Sequence, residues 1–166
     1  MNKCLPSVME VGLINLIKTE HMKSIFTLLC LVAIGLTGSA QTSFSWSPND
    51  SIVTNLSPNT YTELKIKQIK QQPGSLDLAI EVVYNDIPAT WDGMVCVFGS
   101  CLGTIPAVGG TADQSTISTA NDTGYVRLTV NPFNGTETAT LRIRVYDKNN
   151  PSDGDTATWV VQGQGL

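Results

Sequence analysis

The sequence predicts an all-β protein, a two-sheet antiparallel β-sandwich of seven or eight short strands. Three observations predict it. Valine, isoleucine and threonine supply 35 of the residues from 41 to 166, whereas alanine supplies 7 and leucine 8. Such β-branched side chains suit a pleated, half-buried surface. Apolar and polar residues alternate with a period of two, and clusters of Pro, Asn, Asp and Gly separate the alternating runs.

The first half of this region contains five predicted strands. They are Thr42–Ser47, Ile52–Leu56, Thr62–Lys70, Leu76–Val82 and Met94–Phe98. In the third of them the step from Ile66 to Ile69 breaks the alternation, which predicts a β-bulge. In the fourth, Leu78, Ile80 and Val82 share one face, which is predicted to be buried.

The second half begins with a long loop or crossover, Gly103–Gly124, with one short strand around Thr116–Ser118. Three further strands follow: Val126–Val130, Leu141–Val145 and Ala157–Val161. Ile143, Val145 and Trp159 are predicted to be buried. Arg142 and Arg144 alternate with them and are predicted to point to solvent, because neighbouring residues of a strand face opposite sides.

The first forty residues have the pattern of an export signal. Ser24–Leu36 is uncharged, Lys23 precedes it, and the small residues Gly38 and Ala40 follow. A basic residue, a short apolar run and a small-residue site together are typical of a secretory signal peptide. The run is shorter than the roughly 20 residues that a membrane span needs. We expect cleavage after Ala40, with an uncleaved anchor as the alternative, and hence a signal region 1–40 and one domain, 41–166.

Residues 1–21 contain a second, weaker apolar stretch, Val8–Ile17, ahead of the stronger signal that begins at Met22. The simplest interpretation is that translation starts at Met22. The alternative is a long, translated N-terminal extension that begins at Met1.

Charge and histidine content exclude several classes of function. The net charge is −4 and charged residues make up 14% of the chain, against roughly 25% in average globular proteins. Nucleic-acid binding is therefore not expected, since it requires a basic surface. The only histidine, His21, lies in the region that we expect to be removed. A mature chain without it has no histidine general base, no Ser-His-Asp triad and no histidine zinc ligand.

Two cysteines remain in the mature chain, Cys96 and Cys101. In an exported protein an even pair typically forms a disulfide, here closed by a turn at Phe98-Gly99-Ser100. The alternatives are a redox pair or half of a metal site. Redox pairs usually have C-x-x-C spacing, and a metal would need two further soft ligands.

Two other groups of side chains are candidate site residues. Trp91 lies outside a clear strand and is a candidate ligand-facing aromatic, with core packing as the alternative. Oxygen-bearing side chains gather near the last predicted turn, a weak calcium signal, with a hairpin whose side chains bond their own backbone as the alternative. These calcium candidates are Asp147, Asn149, Asp153 and Asp155.

One stretch resembles a known family. An alternating strand at Leu76–Tyr84 is followed by Asp86-Ile87-Pro88, then Trp91, then Cys96 and Cys101. This order resembles an Ig-like β-sandwich module common in secreted proteins of Bacteroidetes, in which a strand, x-L-P-x-x-W and C-x4-C recur. The resemblance covers roughly residues 60–162, and Ile87 stands where the family more often has leucine. It implies an Ig-like fold that binds or spaces rather than catalyses.

These observations lead to one functional prediction and two alternatives. The prediction is an exported, non-enzymatic Ig-like module that engages a protein or glycan partner, secreted or held in the periplasm or cell envelope. No cofactor and no membrane span in the mature chain are expected. The first alternative is a carbohydrate-binding module whose exposed aromatic residues line one sheet face. The second is an enzyme that uses a carboxylate pair, as glycosidases do.

Overall fold

Two five-stranded β-sheets form the part of the chain that the computed structural model describes, residues 43–118 and 123–166. These residues belong to the compact unit Gln41–Leu166. The sheets pack face to face on one hydrophobic core, so the fold is an all-β, Ig-like sandwich. The predicted signal peptide lies outside the described residues.

Ten strands make up the two sheets. In chain order they are β1 Phe44–Ser47, β2 Ser51–Leu56, β3 Thr62–Lys70, β4 Leu78–Asn85, β5 Asp92–Val97, β6 Ser100–Cys101, β7 Thr111–Asp113, β8 Thr123–Asn131, β9 Thr138–Asp147 and β10 Asn150–Gly163. Sheet A has the order β1-β3-β8-β5-β6, and sheet B the order β2-β10-β9-β4-β7. Within the described ranges there is no helix long and apolar enough to cross a membrane.

The core confirms the predicted strand faces. Six residues predicted to be buried have no exposed surface: Leu78, Ile80, Val82, Ile143, Val145 and Trp159. Arg142 lies on the opposite face of β9 and is exposed, and Arg144 is half-buried over the ring of Tyr146. The Trp159 indole N–H also has a partner, since it donates to the carbonyl of Leu64 in sheet A.

The predicted β-bulge between Ile66 and Ile69 is wrong. β3 pairs with β8 without a register shift from Thr62 to Ile69. Gln68 therefore takes the inward position that the apolar pattern left vacant, and it is fully buried. The register shifts that the structure does show lie between Val82 and Tyr84 in β4 and between Asn150 and Gly154 in β10.

Two other strand predictions need correction. The sandwich is not antiparallel throughout, because β2 pairs with β10 in parallel. The short strand expected around Thr116–Ser118 is a single bridge between Ile117 and Leu76. The strand that borders β4 is instead β7, and the hairpin strand β6 was not predicted.

Candidate functional site

A cavity of about 240 Å³ opens where β4 leads into β5. One wall is the β4–β5 connection from Asn85 to Gly93, which contains the Ile87-Pro88 and Trp91 of the motif that carries the family resemblance. The other wall is formed by Thr104 and Ile105, in the loop between β6 and β7. The motif therefore builds a concave surface at this end of the sandwich.

Asn85 holds the two walls of the cavity together. Its side-chain oxygen accepts a hydrogen bond from the backbone N–H of Ile87 at 3.0 Å. Its amide nitrogen donates to the carbonyl of Pro106 at 3.0 Å. A second turn follows, in which the Trp91 N–H donates to the Pro88 carbonyl at 2.9 Å. Because backbone groups of both walls are bonded, the cavity is shaped before any ligand arrives.

Tyr61 stands beside this cavity and is held in place by Asp92. It precedes β3, and its hydroxyl donates to the carboxylate of Asp92, the first residue of β5. The other carboxylate oxygen accepts from the N–H of Gly93 at 2.8 Å. The hydrogen bond to Asp92 raises the pKa of the Tyr61 hydroxyl above its ordinary value, and desolvation and the carboxylate's charge act in the same direction. Tyr61 is thus a protonated, oriented ring that is 54% exposed.

Trp91 belongs to the core more than to the surface. Only 7% of the residue is exposed, although it contributes to the cavity wall. Its indole Nε1 is buried and has no hydrogen-bond partner among the described residues. A Cβ at Gly135 would overlap this nitrogen, so only glycine fits beside it. Because the residue is so nearly buried, the ring offers no open face for stacking. A ligand-facing role for Trp91 stays a prediction.

The predicted disulfide is present. Cys96 and Cys101 are joined with an S–S distance of 2.03 Å, and they lie directly opposite each other in the β5–β6 hairpin. The hairpin turns at Phe98 and Gly99, where Gly99 has a φ of 90° and a Cβ would overlap the hydroxyl of Ser115. The Arg127 guanidinium donates to Cys96 Sγ at 3.3 Å. The bridge fastens a hairpin at the edge of sheet A.

The four calcium candidates are not brought together. Asp147 accepts from the N–H of Asn149 at 2.8 Å, within the turn itself. The Asp153 carboxylate accepts from the Ser43 N–H at 2.9 Å, and Asp155 accepts from the Trp46 indole at 2.8 Å. Across residues 43–118 and 123–166, no three histidine, cysteine, aspartate or glutamate side chains cluster where they could hold a metal ion. Two of these carboxylates therefore fasten the start of the domain to β10.

The exposed aromatic residues do not line up on one sheet face. Tyr61 lies at the end of sheet A, whereas Tyr84 belongs to β4 of sheet B and donates its hydroxyl to Asp86 at 2.9 Å. Phe133 lies in the turn after β8. Tyr125 is on the outer face of sheet A but is half-buried, with Lys65 5.0 Å from its ring centre. Of these rings, Tyr61 is the one whose hydrogen-bond partner, Asp92, itself lines the cavity.

The pairing of Tyr61 with Asp92 was not predicted from the sequence. They lie 31 positions apart, and they meet because β3 and β5 both pair with β8. The sequence offers one indication of this site, namely that Asp92 directly follows the tryptophan of the motif. No sequence pattern indicates Tyr61 as its partner.

No protein-family model matches the chain, and no curated protein matches it in sequence. Several solved structures are similar in fold. They include the N-terminal domain of PorA, with 12% identity over 68% of this chain and 87% of that one and a TM-score of 0.47. The CBD1 domain of Calx is 12% identical over 73% of this chain and 96% of that one, with a TM-score of 0.46. A PapD-like domain of human CEP192 is 14% identical over 79% and 90%, with a TM-score of 0.42.

Proposed function

We propose that the protein is an exported, non-enzymatic Ig-like module that binds a partner protein at the cell envelope or outside the cell. The observation that carries this proposal is an oriented, half-exposed tyrosine, Tyr61, beside a small cavity. Hot spots of protein interfaces are typically aromatic anchors beside pockets that receive single side chains of the partner. Tyr61 and the cavity have this arrangement.

The size of the cavity favours a side chain over a whole small molecule. Pockets for small molecules usually measure roughly 300–1,000 Å³, and this cavity measures about 240 Å³. It accommodates one inserted apolar side chain of a partner, which would pack against Ile87, Pro88 and Ile105. The remainder of such a partner would lie over the Tyr61 ring.

The rigidity of the site favours a higher affinity for the partner. Ordering a side chain on association costs about 0.5–1.5 kcal/mol. The hydrogen bond from Tyr61 to Asp92 and the two bonds of the Asn85 side chain order the site in the unbound protein. Less conformational entropy is then lost when the partner binds.

The Cys96–Cys101 bridge supports the exported location. Disulfides persist in secreted and periplasmic proteins and are rare where the cytosol keeps thiols reduced. Cys101 is exposed, so reductants would reach the bridge in a reducing compartment. This agrees with the export signal predicted at residues 24–40.

Capture of partners from the envelope proteins of the source cell tests the proposal. We expect Tyr61→Ala to reduce retention of a captured protein at least tenfold. Tyr125→Ala is the matched control, since Tyr125 is a partly exposed tyrosine on β8 that lies six residues along the strand from Asn131, the partner of Asp92. Equal retention by the two variants would contradict the assignment of the site.

Binding of a glycan is the second candidate function. It is favoured by the polar groups near the Tyr61 ring, namely Asp92, Asn85 and Thr104, because sugars bind by stacking and hydrogen bonding together. Titration with envelope polysaccharides from the same source distinguishes the two. Saturable polysaccharide binding that Tyr61→Phe retains and Tyr61→Ala loses would establish the glycan in place of the protein partner.

A further inference from the structure

β2 is an edge strand with one side open among the described residues. It borders sheet B and pairs with β10 alone. The carbonyl of Asp50 accepts from the N–H of Thr158 in β10, and the carbonyl of Leu56 accepts from the N–H of Gln164, just after β10. The N–H and C=O of one residue point to the same side of a strand, so the backbone groups of the even-numbered residues of β2 are directed at β10. Three residues direct their backbone groups away from the sheet: Ser51, Val53 and Asn55.

The other edges of the two sheets are short or protected. β1 has four residues. Asp155 bonds to Trp46 within β1, and Asp153 bonds to Ser43 just before it. β6 has two residues and is tied by the disulfide. β7 has three, and its Asp113 forms an ion pair with Lys148. Proteins commonly protect edges by shortening, charging or covering them.

Within the described residues, β2 carries none of these protections. It has six residues, Ser51-Ile52-Val53-Thr54-Asn55-Leu56, without charge or proline. Its register with β10 is unbroken. Val53 is 78% exposed. An uncharged edge with an exposed valine is a template for pairing with another strand.

We propose that β2 pairs with β2 of a second copy of this chain, antiparallel about a two-fold axis at Val53. In that pairing each Val53 faces Val53 of the other copy, and Ser51 faces Asn55. All three outward-directed residues then lie at hydrogen-bonded positions, which gives about six hydrogen bonds. The two sheets B join into one continuous sheet, independently of the Tyr61 cavity.

A second copy fits this edge because the edge is complementary to itself. Val160 lies beside Val53 in the register of β10, so the pairing places two valines from each copy in one row across the junction. Asp50, the charge next to β2, would face Leu56 of the other copy and not its own counterpart. No like charges meet in the pairing, although each chain is acidic overall. Interfaces with two-fold symmetry require this kind of self-complementarity.

Cross-linking tests the register directly. Cα atoms of a hydrogen-bonded antiparallel pair lie about 5.5 Å apart, within the range that a disulfide spans. We expect Val53→Cys to give a disulfide-linked dimer under mild oxidation. Asn55→Cys is the matched control, since it faces Ser51 and not itself, and it should remain unlinked. The parent protein, treated alike, accounts for any linkage through Cys4 and Cys30.

Sedimentation over a range of concentrations tests the dimer without an added thiol. Val53→Lys places two ammonium groups opposite each other and should raise the dissociation constant at least tenfold. Val108→Lys is the control, because Val108 is 61% exposed in a loop. The proposal is overturned if the parent protein stays monomeric at all concentrations, if Val53→Lys and Val108→Lys dimerise equally, or if Asn55→Cys links as readily as Val53→Cys.

Discussion

At the scale of residues, the Tyr61–Asp92 pair shows how a surface side chain is made rigid. The tyrosine is more than half exposed, yet its hydroxyl is fixed by a carboxylate that is itself bonded to backbone. Exposed side chains normally sample several rotamers. Here the order comes from two hydrogen bonds to one aspartate, and it costs no burial of the ring.

The pKa of Tyr61 provides a test of this pair. Deprotonation removes the donor and places a phenolate beside a carboxylate, so the Tyr61 pKa lies above its ordinary value. The bond therefore stabilises the fold below the ordinary tyrosine pKa, and this contribution is lost as pH rises through the raised pKa. We expect Asp92→Asn to return the titration of one tyrosine to lower pH, measured by ultraviolet absorbance.

Tyr84→Phe identifies the tyrosine responsible, since Tyr84 has its own raised pKa from the bond to Asp86. The shift caused by Asp92→Asn should persist in the Tyr84→Phe background. Its disappearance there would show that the titrating group is not Tyr61.

Gln68 shows why the face of a strand can be predicted while a local detail is missed. Apolar residues at 64, 66 and 69 suggested that an inserted residue restores the alternation. In the structure the alternation continues unbroken, and a glutamine occupies the buried site. Hydrophobic pattern alone cannot distinguish a bulge from a buried polar residue, because both interrupt the same row of apolar side chains.

At the scale of elements, strands with long alternating runs were predicted well, and pairing partners were not. β3, β8 and β9 follow from their own residues, whereas β10 begins at Asn150, well before the predicted Ala157–Val161. β6 and β7 have two and three residues and exist because β5 and β4 bond to them. The parallel pairing of β2 with β10 depends on where two distant segments meet, and alternation within either strand carries no information about that.

The disulfide of the β5–β6 hairpin makes a contribution to the free energy of unfolding that can be calculated. Its disulfide closes a short loop, with a sequence separation of 5, and the loop-entropy relation gives about 2 kcal/mol for its removal. We expect replacement of Cys96 and Cys101 by alanine to lower the melting temperature by about 5–10 °C and to leave a folded β-sandwich, measured by circular dichroism.

Reduction of the unmodified protein is the control for this change, because it opens the bridge without deleting either sulfur atom. A comparable fall in melting temperature in both cases attributes the loss to the bridge. If only the alanine variant is destabilised, the contact between Arg127 and Cys96 is responsible and the entropic explanation is wrong.

At the scale of the whole molecule, we expect the chain to be exported and cut near Ala40. Cleavage there leaves two residues ahead of Ser43, whose N–H is bonded to Asp153. Amino-terminal sequencing of protein from the periplasm or medium should begin at or within a few residues of Gln41. Protein found only in the cytoplasm, with residues 24–36 intact, would contradict the proposed location.

Two long-range contacts decide when the domain can finish folding. They are the bond between Ser43 and Asp153 and the pairing of β2 with β10. They join the beginning of the domain to its last strand, across 110 positions in the first case. During synthesis, β1 and β2 leave the ribosome long before the strand and the carboxylates that receive them. Folding of this domain can be completed only after β10 has emerged, so its earlier strands remain unpaired with β10, and open to chaperones, until β10 has been synthesised.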